Sequence, residues 1–213
     1  MAKVICIAGE SGSGKTTSMR NLDPKTTLYI DCDKKGLSWK GWKQQYNTAN
    51  KNYIKTDFVQ QVLIALKKLE TDWKDKRVVV IDTLNGLMVA DEMRRSKEKG
   101  YDKWVDLAAC VWDLVCYAYE LREDLTVIFT AHTQTDHDEN GYMFTRIKTS
   151  GKKLDKIVLE SKFTTVLLSK CVDGKYLFET QAKNSTAKSP MGAFESFEIE
   201  NDIVKVIKAL EEF

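Results

Sequence analysis

Proline is scarce in this sequence, with two residues in 213, and no stretch is of low complexity. Neither a Pro-rich linker nor a disordered tail is indicated, so one domain over residues 1–213 is expected. Net charge is also small. Lys and Arg number 33 against 31 Asp and Glu, a formal +2. Bulk charge therefore makes no case for nucleic acid, and any basic surface must be local. The five cysteines, Cys6, Cys32, Cys110, Cys116 and Cys171, show no C-x-x-C spacing, and four lie in apolar runs. They read as reduced, buried thiols rather than zinc ligands or a disulfide framework. No apolar run approaches the length of a membrane span, and Val4 to Ala8 is too short for a signal peptide. Both absences exclude a membrane partner and point to the cytoplasm. What is present, 43% hydrophobic residues, suffices for one sizeable core.

The apolar runs alternate in kind. KVICIAG (Lys3 to Gly9), TTLYIDCD (Thr26 to Asp33), RVVVID (Arg77 to Asp82) and LTVIFTAH (Leu125 to His132) read as buried parallel strands. Between them, DFVQQVLIALKKLE has a helical period with Asp57 as its cap. Leu84 to Lys97 and Lys103 to Arg122 are helical, and Thr16 to Leu22 opens a short helix stopped by Asp23-Pro24. Lys34 to Asn52 reads as irregular. Asp173-Gly174 between two strand-like runs is a hairpin signal. Asn201 is the cap candidate for a closing amphipathic helix. The expected fold class is α/β: a mostly parallel central sheet with flanking helices and a C-terminal antiparallel hairpin.

One segment carries specific chemistry. Gly9-Glu10-Ser11-Gly12-Ser13-Gly14-Lys15-Thr16 fits G-x-x-x-x-G-K-[ST] completely, after a strand and before a helical run. Glycines let the backbone curl so that successive amides face phosphate oxygens, with the positive end of the next helix adding to them. Lys15 supplies a cation for the β- and γ-phosphates, and Thr16 a hydroxyl for Mg²⁺. Gly9 to Gly14, Lys15, Thr16 and Thr17 are the expected ATP contacts. Asp82, at the C-terminal tip of a parallel strand, is expected near the loop and on Mg²⁺, through water.

The series GESGSGKTT, LYIDCD, VVVIDT, VIFTAHTQ resembles the RecA-type recombinase ATPase core, most of all the short phage Sak-type ATPases that accompany single-strand annealing and recombination. The resemblance covers nearly the whole chain. It implies that an acidic residue at Asp33 polarises the attacking water. That residue is usually glutamate, and aspartate is one methylene shorter, which puts efficient hydrolysis in question. Asp31 is the competing candidate. It implies further that His132 senses the γ-phosphate, with Gln134 as a second candidate. His137 lacks companion ligands for a metal.

The polar stretch from Thr133 to Lys153 is read as a long functional loop. Its second half interleaves Tyr142, Phe144, Arg146, Lys148, Lys152 and Lys153, the mixture that single-stranded DNA needs, and the resemblance puts a DNA-binding loop here. It also implies that Lys183 or Lys188, near Asn184 and Pro190, reaches a neighbour's ATP in a homo-oligomer. The apolar face of Trp104 to Tyr119 reads as core with a surplus for subunit contact. Met93 to Lys103 is a charge run at a helix end.

The expected function is an ATP- and Mg²⁺-dependent, slowly hydrolysing ATPase. It would bind single-stranded DNA in phage recombination or annealing, in the cytoplasm of an infected host, alongside a recombination or single-strand-binding protein. Two alternatives stand beside it. A P-loop nucleotide kinase would need an arginine lid, but Arg94 and Arg95 precede the fourth strand. A non-catalytic ATP-bound switch or loader would act through a protein partner.

Overall fold

The computed structural model describes residues 1–100, 102–137, 141–149 and 158–213. In chain order the strands are β1 (Lys3–Gly9), β2 (Thr27–Asp31), β3 (Tyr53–Lys55), β4 (Val78–Asp82), β5 (Thr126–His137), β6 (Met143–Ile147), β7 (Thr165–Val172), β8 (Lys175–Glu179) and β9 (Glu198–Glu200). The helices are α1 (Trp42–Gln45), α2 (Val59–Thr71), α3 (Leu84–Arg94), α4 (Asp102–Glu120) and α5 (Ile203–Ala209). The strands join one sheet in the order β3-β2-β4-β5-β1-β7-β8-β9, with β6 paired to β5. The six strands from β3 to β7 are parallel, while β8 and β9 continue the edge antiparallel.

Both faces of the sheet are covered, which is why its strands are continuous apolar runs. Val4, Cys6 and Ala8 of β1 face a core shared with α2, α3 and α4. Ile5 and Ile7 face the opposite core, closed by Met19, Leu22, Leu37, Tyr46 and the α5 residues Ile203 and Val206. The Asp173-Gly174 turn joins β7 to β8 with φ values of 49° and 75°, the two positive angles of the tightest hairpin turn.

Several local expectations are corrected. The segment after the glycine loop forms only a three-residue 3₁₀ turn, Thr17–Met19, not a helix from Thr16 to Leu22. α2 starts later than expected, because Asp57 is drawn into ion pairs with Lys34 and Arg94, and Phe58 stands at its N-cap without a side-chain bond. α5 is capped by Asp202, which accepts from the Val204 amide, while Asn201 turns inward to Ser169. The stretch 34–52 contains α1 and leads into β3, an edge strand. Of the cysteines only Cys6 and Cys32 are buried, and Cys171 is exposed at the end of β7. No described helix is long and apolar enough to cross a membrane.

Candidate functional site

The C-terminal tips of β1, β2 and β4 converge with the end of the buried part of β5 at His132. β5 lies between β1 and β4, and register pairs Gly9 with His132 on β5 and with Ser169 on β7. The chain leaves Gly9 into the glycine loop at this junction. A Cβ on Gly9 would stand 2.5 Å from Ser13 Oγ and 2.7 Å from the Ser169 carbonyl oxygen, so no other residue fits there. Gly14 has φ 100°, and a Cβ on it would meet the Tyr176 ring at 2.7 Å. A three-residue 3₁₀ turn follows, so no long helix dipole points at the loop. A phosphate held here would meet loop amides and Lys15 rather than a helix end.

Lys15 folds back over the loop. Its Nζ donates to the carbonyl oxygens of Gly9 (2.8 Å) and Glu10 (2.7 Å) and lies 3.4 Å from His132 Nδ1. Burial lowers its pKa to about 8, with Asp82 acting in the opposite sense. The His132 pKa is also lowered, first by burial and then by the Lys15 charge, so its imidazole is neutral at neutral pH.

Asp82 is 2% exposed and accepts three hydroxyls. Thr16 Oγ1 donates to its Oδ2 at 2.8 Å, Tyr29 Oη to the same atom at 2.6 Å, and Thr130 Oγ1 to Oδ1. Thr130 and His132 are two residues apart on β5 and therefore share a face. One hydroxyl and one carboxylate beside a phosphate cradle form the donor set that a phosphate-bound Mg²⁺ takes, its other positions going to phosphate oxygens and water. Thr16 and Asp82 fit that ion.

Asp31 and Asp33 have different surroundings. Asp31, 2% exposed, accepts from the Tyr53 hydroxyl (2.6 Å) and the Gly36 amide (2.8 Å), both on Oδ2. Asp33 stands at the mouth, accepting from Thr83 Oγ1 (3.1 Å) and paired with Lys35 (2.6 Å). Burial alone would lower the Lys35 pKa, but the hydrogen bond and charge of Asp33 outweigh it and raise it. The α3 N-terminus presses on this corner: a Cβ on Gly86 would lie 2.5 Å from Asp33 Oδ1 and 2.9 Å from the Cys32 carbonyl oxygen.

Within the stretch after His132, residues 133–137 and 143–147 pair as two strands rather than forming a loop. β5 runs on to His137, and β6 returns antiparallel, with Gln134 opposite Arg146 and Asp136 opposite Phe144. Strong cross-strand pairing makes it an arm. Tyr142 is exposed, and its hydroxyl donates to Asn184 Oδ1 at 2.7 Å. Arg146 is engaged by Asp136, and Gln134 also donates to Asp136. Phe144 is half-buried and Lys148 exposed. Lys152 and Lys153, with Asp138 and Glu139, lie outside the described residues. Lys183 is exposed and Lys188 half-buried. Their segment runs along the arm and β7 through Thr145–Asn184, Thr186–Thr145 and Lys188–Val166 main-chain bonds.

Tyr29, Thr130 and Asn85 escaped the sequence reading. Asn85, in the first turn of α3, accepts from the His132 amide (2.6 Å) and donates to the Lys148 carbonyl (2.8 Å), while the Lys148 amide donates to the His132 carbonyl (2.7 Å). The three form a closed ring joining the β4–α3 junction, the end of the buried part of β5 and the foot of the arm. A polar residue three positions after Asp82 in an otherwise apolar run was the available signal.

Comparison with known proteins adds the following. A family model described as an AAA domain matches residues 1–190. No curated protein matches. Among solved structures, a KaiC-like protein of the hyperthermophilic archaeon Pyrococcus horikoshii is 12% identical, covering 83% of this chain and 76% of that chain, with a TM-score of 0.44.

Proposed function

Because the chain belongs to the AAA domain family and so has a P-loop ATPase core that binds nucleotide, we propose that it is an ATPase that binds ATP with Mg²⁺ and turns it over slowly. The observation that carries this is the convergence of Lys15, Thr16, Asp82 and His132 on one loop, with the Thr16 hydroxyl 2.8 Å from Asp82 Oδ2. Gly9 to Thr17 hold the phosphates, and Lys15 exchanges its carbonyl partners for phosphate oxygens. Thr16 and Asp82 hold Mg²⁺, which when bound neutralises charge on the β- and γ-phosphates. Asp33 orients the attacking water, since it opens on the mouth and Asp31 is tied inward. His132, neutral, offers one hydrogen bond to the terminal phosphate. Slow turnover follows from a short carboxylate held by Lys35 at 2.6 Å.

The arm is the proposed single-stranded DNA contact, through Tyr142, Phe144 and Lys148, with Arg146 released from Asp136 on binding. The Asn85 ring supports this reading, because the residue that meets the γ-phosphate shares hydrogen bonds with the foot of the arm. Lys183 and Lys188 act in trans in a homo-oligomer with nucleotide near the subunit interface. Phage recombination or annealing, with a recombination or single-strand-binding partner, is the setting that the sequence resemblance favours.

The Lys35–Asp33 pair also favours a second reading, an ATP-bound switch without turnover. ATP hydrolysis measured with and without oligo(dT), with oligomeric mass recorded in the same samples, separates them. DNA-stimulated turnover supports the ATPase. Tight ATP binding with neither turnover nor DNA affinity supports the switch. Phosphorylation of a nucleoside monophosphate would replace both with a kinase.

A further inference from the structure

Charge is unevenly spread along the chain. Residues 34–56 hold six lysines and no Asp or Glu. The chain's +2 less these six leaves −4 on everything else. Lys34 pairs with Asp57 and Lys35 with Asp33. Lys40, Lys43, Lys51 and Lys55 are exposed, and none has an ion-pair partner among the described residues.

Lys43 and Lys55 line an aromatic groove, and Lys40 and Lys51 lie on the same segment of chain. Between α1 and the edge strand β3 lies a groove of about 610 Å³ lined by Trp42, Lys43, Tyr46, Asn47, Tyr53 and Lys55, among others. The Trp42 and Tyr53 rings are in contact, with centroids 5.4 Å apart. Lys43 Nζ lies 5.8 Å from the Trp42 centroid and Lys55 Nζ 5.9 Å from that of Tyr53. The groove is joined to the nucleotide site, because the Tyr53 hydroxyl is bonded to Asp31, at the tip of the strand that leads to Asp33.

We propose that this groove is a second binding surface for single-stranded nucleic acid, distinct from the β5–β6 arm. It rests on the reading that the chain binds a single strand, and extends that strand's path to the far edge of the sheet. Unpaired ammonium groups take phosphates, and Trp42, the half-buried ring of the pair backed by the buried Tyr53, takes a base. An acidic peptide adding to the free edge of β3 would use the lysines but leave the ring pair unused.

The test compares oligo(dT) of about 30 nucleotides bound to the wild type and three variants, by anisotropy across a salt series. Variant one is K40Q/K43Q/K51Q/K55Q. Variant two, K67Q/K74Q/K97Q/K208Q, loses the same charge from exposed lysines elsewhere. Variant three is Lys148→Gln on the arm. At about 0.7 per phosphate contact on a single strand, the groove variant should lower the slope of log K against log salt by roughly 2–3. The distal variant should leave it nearly unchanged. Ultraviolet cross-linking of wild type should place oligo(dT) on the peptide containing Trp42 and Tyr53. If the quadruple variant does not fold, K43Q/K55Q should show about half the slope change, and the cross-link is read on wild type regardless.

Equal slope changes in the groove and distal variants would overturn the proposal, as would an unchanged groove-variant slope or cross-links confined to the arm. Aggregation of the groove variant with an unchanged slope would make the lysines guards of the sheet edge instead. If Lys148→Gln weakens binding and the groove variant does not, this inference fails and the arm reading stands. If wild type binds no oligo(dT), both fail.

Discussion

Changing Tyr29 to phenylalanine removes one oxygen atom. The ring is fully buried and packs against Trp39, Tyr46 and Tyr53, contacts that phenylalanine keeps. What is lost is the 2.6 Å hydrogen bond to Asp82 Oδ2, leaving that buried carboxylate with Thr16 and Thr130. A hydrogen bond to a charged group contributes about 1.5–3 kcal/mol. For a chain of this size each kcal/mol moves Tm by roughly 2–4 °C. Tyr29→Phe should therefore lower Tm by roughly 3–12 °C. Tyr46→Phe is the matched control, because its hydroxyl makes a 3.4 Å contact to the neutral Leu22 carbonyl and should cost under about 1 kcal/mol. Scanning calorimetry of the two variants in nucleotide-free buffer decides the matter. If Tyr29→Phe is no less stable than Tyr46→Phe, the Tyr29 hydroxyl does not support a charged Asp82, and the electrostatic description of the site is wrong.

Substitutions at four further positions probe separate parts of the site. Gly86→Ala gains up to ~1 kcal/mol of helix propensity. It also forces a methyl against Asp33 and the Cys32 carbonyl, so turnover should fall at least about tenfold (~1.4 kcal/mol of barrier) with ATP affinity little changed; unchanged turnover argues against Asp33 as the water-orienting group. Asp31→Asn should lower stability by about 1–3 kcal/mol with turnover per folded molecule retained, whereas Asp33→Asn should do the reverse, and an exchanged pattern in paired melting and turnover assays reverses the assignment. His132→Ala should lose about a hundredfold in turnover and His132→Gln much less. Because the His132 pKa is lowered in the fold, the unfolded chain binds more protons below its ordinary value of about 6.5. Wild type should thus lose stability as pH falls below that value by more than His132→Gln does, and coincident Tm profiles between about pH 5 and 8 would refute this.

Much of the sheet was legible because buried parallel strands are written as unbroken apolar runs, and the Asp173-Gly174 turn as a dipeptide with two positive φ angles. The glycine loop was legible because close backbone packing at Gly9 and a left-handed Gly14 leave no alternative residue. Less visible were features that depend on tertiary partners. The arm was read as a loop because the outer part of β5, Thr133 to His137, is polar, and its partner β6 mixes Met143, Phe144 and Ile147 with Thr145 and Arg146, with Ile147 alone of these five in the buried core. The helix after the loop was overestimated because Thr16, Thr17 and Ser18 are poor helix formers whose hydroxyls have other uses, Thr16 to Asp82 and Ser18 to the Lys15 carbonyl. Tyr29 and Thr130 looked like ordinary strand residues, since nothing local marks a hydroxyl that meets a carboxylate on another strand. Caps went astray by one or two residues where an alternative partner captured the side chain, as Lys34 and Arg94 capture Asp57.

In the proposed site the loop from Gly9 to Thr17 grips a triphosphate through its amides and Lys15, with Mg²⁺ on Thr16 and Asp82. Calorimetric titration of ATP into wild type and Lys15→Ala, each with and without Mg²⁺, tests it most directly. Wild type should bind one ATP per chain, at least about tenfold more weakly without Mg²⁺, corresponding to ~1.4 kcal/mol, and Lys15→Ala should lose binding. Wild type that takes up no ATP, or a Lys15→Ala variant that binds it as tightly, would contradict it.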